Sequence, residues 1–183
     1  MRRLFVLLVA ALVLAGCGKA APPAATTPFN DVDVMFLQMG LAQIAEGDEV
    51  AALAAQRAGI AEIRTLATEL RAQWRTESGT MQRWLLGWQQ PMTADPGEGA
   101  HAGHGDLHSL RPSDIAELRA AKGRDFDRTA LSLLLGHLHN CVETTRMESS
   151  GGAYPPAQTL ATAMTRNRQA TIQKMLVLAG NLG

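Results

Sequence analysis

Thr65-Leu66-Ala67-Thr68 and Thr159-Leu160-Ala161-Thr162 are one four-residue string written twice, 94 positions apart. Holding that offset and reading outward lays Asp31–Gln89 over Asp125–Gly183 without a gap. Asp31 and Asp33 fall on Asp125 and Asp127, Leu37 and Leu41 on Leu131 and Leu135, Glu49 on Glu143, and Met81 on Met175. Only 10 of the 59 pairs are identical, so the weight rests on the run of four and on the matched spacing at both ends. Internal repeats set architecture. Each unit reads as two helices, so the chain reads as all-α, a four-helix bundle made of two helix hairpins with approximate two-fold symmetry. The offset also exposes an asymmetry, because Gln43 in the first copy lies over His137 in the second.

Upstream of the repeat the chain changes character. Met1-Arg2-Arg3 and the apolar run Leu4 to Val13 have the size of a signal-peptide core and are too short to span a bilayer. The run ends in Leu14-Ala15-Gly16-Cys17, which resembles a bacterial lipobox, so residues 1–16 are expected to be a lipoprotein signal and Cys17 the acylated residue. Residues 17–29 then form an Ala/Pro/Thr-rich tether. The expected location is the extracytoplasmic face of a cell membrane, held by the lipid. Taking Arg2 and Arg3 from 17 basic residues leaves 15 against 17 acidic ones. That balance argues against nucleic acid as a partner, since phosphate binding needs concentrated positive charge.

Residues 30–183 are enough for one domain with a sizeable core. Ala, Leu, Met, Gln, Arg and Glu dominate, and strand signals are poor. The spacing predicts helices from Asn30 or Asp31 to about Arg57, from Ile60 to Gln89, from Asp125 to Ser149 and from Ala157 to Ala179, with a short helix from Ser113 to Ala121. The halves are 30–89 and 125–183. Trp74, Met81 and Trp88 form a heptad stripe, read as core. Gly40 and Gly47 weaken the first helix. Pro91 to Arg111 is rich in Gly and Pro and reads as a long loop. With Cys17 acylated, Cys141 has no partner for an internal disulfide.

All five histidines lie between positions 101 and 139. His101, His104 and His108 stand in the glycine loop, where three imidazoles can converge on a transition ion, with Met92 and Asp106 as possible additions. The spacing matches no closed zinc site. On the third long helix His137 and Cys141 are four apart and share a face, two donors suited to a soft ion such as Cu(I). The bland reading of Cys141 is a small core residue. His139 points away from His137 and is expected to pair with Glu143. Met147, ten residues past His137, joins only through a bend or a second ion. Catalytic patterns do poorly. Glu98-Gly-Ala-His101 has di-iron spacing but sits in the loop, and neither a nucleophile elbow nor a phosphate-binding loop occurs.

Phe126-Asp127-Arg128, an apolar stretch through Leu135 and then His137 resemble the signature of the family called domain of unknown function 305. That signature runs Phe-Asp-Arg, several residues, Met-Ile, one residue, then His-His. Asn30-Asp31-Val32-Asp33, Phe36-Leu37-Gln38-Met39, Met81 and Met175 look like further family positions. The resemblance implies a ferritin-like bundle of two halves on secreted or lipid-anchored bacterial proteins, and a link with copper through Met and His side chains. The signature His-His is Gln43-Ile44 in the first half here and His137-Leu138 in the second, so three of four histidines are absent. A Gln43–His137 hydrogen bond is the simple expectation where the halves meet.

The expected function is binding without turnover: sequestration or delivery of a transition metal, copper first, outside the membrane. His101, His104 and His108 would be the accessible ligands and His137 with Cys141 a buried set. The alternative is a degenerate, metal-free helical module that binds another cell-envelope protein, which predicts an exposed apolar patch.

Overall fold

The computed structural model describes residues 28–94 and 110–182. Five helices occur among them: α1 Asp31–Arg57, α2 Ala61–Gly87, α3 Pro112–Ala120, α4 Gly123–Gly151 and α5 Pro155–Gly180. The described residues hold no strand. The four long helices are the expected ones, with ends moved by a few residues. Pro155 and Pro156 open α5 rather than preceding it, because proline gives up only a donor that a first helical turn leaves unpaired anyway. α2 stops at Gly87, where Gln89 turns to φ 57° and the Gln90 N–H donates back to the Leu85 carbonyl at 2.9 Å.

The hairpins α1–α2 and α4–α5 meet mainly along α1 and α4, while α2 and α5 touch little. Phe36, Leu37, Val50, Ile63 and Leu70 of the first half close against Phe126, Leu131, Leu134 and Leu138 of the second. The repeated string contributes Ala67 and Ala161, both wholly buried small residues at matching positions on α2 and α5. Trp74 and Met81 of the stripe are core, and Trp88 packs partly exposed at its end.

The repeated aspartates do most to fix the symmetry. Neither α2 nor α5 has a side-chain cap of its own. Asp127, on α4, instead accepts the N–H groups of Gly59 (2.8 Å) and Ile60 (3.2 Å), just before α2. Asp33, on α1, accepts those of Ala153 and Tyr154, both at 3.0 Å, just before α5. Gly59 and Ile60 map onto Ala153 and Tyr154 under the 94-residue offset, so each half caps the second helix of the other. Asp33 also closes a capping box with Asn30, whose amide reaches the Gly151 carbonyl at 2.9 Å.

Candidate metal-binding centre

His137 and Cys141 lie on the inner face of α4 at the middle of the bundle, 1% and 2% exposed. One helical turn sets the spacing, and His137 Nε2 stands 3.5 Å from Cys141 Sγ. The Trp74 ring meets the imidazole edge-on, with centroids 5.9 Å apart. α1 makes room with Gly47: a Cβ there would run into His137 Nε2 and lie 2.6 Å from the Trp74 ring. Gly40 does the same for Met81, at 2.8 Å. The two glycines that weaken α1 in propensity therefore serve close packing.

The centre is electrically set by residues the sequence reading passed over. Arg168 of α5 is wholly buried and forms a two-armed ion pair with Glu77 of α2, at 2.8 and 3.2 Å, while Gln73 donates to the same carboxylate at 2.8 Å. Burial, and then the Arg168 charge, lower the His137 pKa to about 4, against the pull of the Gln43 carbonyl. Burial pushes the Cys141 thiol up to about 11, although Arg168 works the other way. At neutral pH both groups are uncharged. Trp74 Nε1 and Arg168 Nε are buried without a hydrogen-bond partner among the described residues. A signal for Arg168 was available: the offset carries the Trp74–Met81–Trp88 stripe onto Arg168–Met175–Leu182, which places a cation at a core position.

Other expectations fall out differently. Gln43 does cross between the halves, but its side-chain amide donates to Thr144 Oγ1 at 2.8 Å, and it is the backbone carbonyl that faces the His137 ring. His139 does not pair with Glu143. Its Nδ1 donates to the Leu135 carbonyl at 2.8 Å, and Glu143 takes Arg146 at 2.6 Å, because an arginine one turn on reaches a carboxylate with less reorganisation than an imidazole already held by its own helix. α4 runs unbroken, so Met147 sits roughly 15 Å along the axis from His137 and cannot share its ion. Met92 lines a cleft of about 640 Å³ between α1 and α2 with Met39, Asp48 and Arg71. His101, His104, His108, Asp106 and Cys17 lie outside the described residues. Among the described residues, no three His, Cys, Asp or Glu side chains converge as an ion site.

A second acidic group also escaped the sequence reading. Glu148 is wholly buried beside Asp33, its carboxyl oxygens without hydrogen-bond donors and pressed against Gly152, where a Cβ would clash. Burial, and then Asp33, raise its pKa to about 8. Burial would also raise Asp33, but the N–H groups of Asn30, Tyr154 and Ala153, with Glu148, hold it below the usual range.

Fold and centre together define a duplicated, all-helical bundle with reciprocal aspartate caps and a partly ionic core. The model of the domain of unknown function 305 (DUF305) family matches residues 33–179, and the chain belongs to that family. A DUF305 protein from Streptomyces coelicolor shares the fold with a TM-score of 0.77 and 19% identity, over 83% of this chain and 94% of that one. A DUF305 fragment from Deinococcus radiodurans gives 0.73 and 22%, over 85% and 99%. CopM in the Cu(II)-bound form gives 0.69 and 20%, over 82% and 97%, and CopM in the Cu(I)-bound form 0.68 and 20%, over 81% and 96%. At these identities the likeness speaks for the fold. None of the curated proteins matches the chain.

Proposed function

We propose that the chain is a lipid-anchored, extracytoplasmic protein that binds a transition ion, copper first, and sequesters or passes it on without turnover. The observation that carries the reading is the His137–Cys141 pair: a borderline and a soft donor, uncharged at neutral pH and 3.5 Å apart at the centre of the bundle. Cu(I) favours such donors. Family membership and the fold shared with CopM, which is known in copper-bound forms, support the choice of ion.

The centre sets the terms of binding. A cuprous ion at Cys141 must displace a thiol proton held at about 11, so uptake releases a proton and strengthens as pH rises. The Arg168 charge opposes an incoming cation, and the Glu77 carboxylate offsets it at 2.8 Å. Both donors are closed to solvent, which makes the core a slow site and gives His101, His104 and His108 the role of first capture. The interaction-module alternative expects an exposed apolar patch, and large apolar side chains do stand exposed at both ends of the bundle, Leu86 at one and Leu176 and Val177 at the other.

The test is titration of the chain from Gly18 onward with cuprous and cupric copper, zinc and nickel. A variant with His101, His104 and His108 changed to Ala and a His137→Gln variant run beside it. Tight stoichiometric binding reduced in either variant supports the reading. Affinity no better than that of a histidine-bearing peptide overturns it.

A further inference from the structure

The two ends of the bundle differ in surface chemistry. The end formed by the start of α1, the finish of α2, the finish of α4 and the start of α5 carries a ladder of aromatic rings. Phe29 stacks on Trp88 with centroids 4.2 Å apart, Trp88 stacks on Trp84 at 6.4 Å, and Tyr154 meets both edge-on at 5.1 and 5.5 Å. All four rings are partly exposed. Leu86, in the last turn of α2, is 66% exposed, and Gly87, Pro91, Pro155 and Pro156 are exposed around it. Among the described residues, exposed charge at this end is sparse: Asp31, Arg83 and Arg146, the last already paired with Glu143. The opposite end is crowded with exposed charges, among them Arg57, Glu62, Glu117, Arg119, Arg124 and Arg128. Leu176 and Val177 are exposed there too, but within that charged setting.

The chain itself says what the aromatic end faces. The described residues begin at Pro28, at this end, one residue before the stacked Phe29. Cys17 stands eleven residues upstream, a stretch that spans at most roughly 40 Å when fully extended. An anchor there holds the aromatic end nearest the bilayer. Trp and Tyr favour the interfacial layer, where a ring is half buried and its polar edge stays wet. A poorly charged surface also gives up little hydration on contact.

We infer that the bundle rests on the lipid surface through this end, with Leu86 and the Phe29–Trp88–Trp84–Tyr154 ladder seated at the headgroup layer. The inference rests on the lipid-anchor reading, and the orientation then keeps the charged end, with α3, outward.

The test supplies the anchor chemically, so failure of acylation in cells does not enter it. The chain from Cys17 is coupled through that thiol to a maleimide lipid in phosphatidylethanolamine/phosphatidylglycerol vesicles. Cys141, 2% exposed, is closed to the reagent. Tryptophan fluorescence is read with and without brominated acyl chains, for the parent, Leu86→Lys and Val177→Lys. Both changes are at exposed positions, and far-ultraviolet dichroism verifies folding. Quenching of the parent, lost in Leu86→Lys and kept in Val177→Lys, is the expected result. No quenching of the parent, or equal loss in both variants, overturns the inference. So does sedimentation showing a dimer abolished by Leu86→Lys, which would assign the surface to a second copy. Mass analysis of the cell-derived protein separately tests acylation of Cys17.

Discussion

At one end of the bundle Asp127 caps α2 in surroundings with no second acid in its partner set, and the position matching Glu148 is Ala54, wholly buried. At the other end Asp33 caps α5 by the same geometry, with a buried Glu148 against it. The middle repeats the contrast. Gln43, Gly47 and Trp74 of the first half correspond to His137, Cys141 and Arg168 of the second. Duplication preserved the frame, and the chemistry concentrated in one copy. The first half supplies space, apolar packing and the Glu77 counter-charge, and the second supplies the two donors, the buried cation and the Glu148 proton.

The largest break in that division should come from Arg168→Ala. It leaves Glu77 buried and unpaired, and denaturant unfolding should show a loss of about 3 to 5 kcal/mol. Replacing both partners, Arg168→Met with Glu77→Leu, should recover most of it, since the buried pair itself adds little net stability.

Glu148 should set the pH response of the aromatic end. Its folded pKa is about 8 against an ordinary 4.5, so the folded chain holds the proton more tightly. The stability it allows is present below pH 4.5 and drains as pH rises to about 8. His137 works oppositely: with a folded pKa near 4 against 6.5, its contribution is present above 6.5 and lost as pH falls toward 4. Glu148→Gln should flatten the decline between pH 4.5 and 8 in a series of Tm measurements and raise Tm at pH 8 and above. An unchanged profile would mean that the acid pair is relieved some other way.

Gly47→Ala should cost about 1 to 3 kcal/mol by forcing the His137 and Trp74 rings aside. Adding His137→Ala should return part of that loss, which chemical denaturation of the double variant would reveal. The smallest change should be Asp33→Ala relative to Asp127→Ala. Asp127→Ala strands two backbone N–H groups, for about 1 to 3 kcal/mol, and Asp33→Ala three, but the latter also frees Glu148 from a neighbouring charge. Parallel unfolding curves should therefore show the cost of Asp33→Ala falling relative to that of Asp127→Ala as pH rises above 8.

Much of the frame is legible in the residues. The four-residue repeat, the heptad stripe and the paired aspartates predict four long helices in two hairpins, and the family signature at Phe126-Asp127-Arg128 is confirmed by the family match. The role of the aspartates is not legible, because capping acts between halves 67 to 121 residues apart and leaves no local pattern. The His137–Cys141 spacing is readable from helical periodicity, but the buried Arg168–Glu77 pair that tunes it joins residues 91 positions apart. Gly47 illustrates the limit well: propensity marks it as a weakness, and only the neighbouring rings show why no larger residue fits.

The most direct test of the metal reading is a competition titration with Cu(I), read together with proton release, on the parent and on His137→Gln combined with Cys141→Gly. That double change writes the first half's residues, Gln43 and Gly47, into the second. The expected result is loss of one tightly held cuprous equivalent and of the proton that accompanies it, with any capacity of the loop histidines retained. Identical stoichiometry, affinity and proton release in the two proteins would contradict the assignment of the ion to the core of the second half.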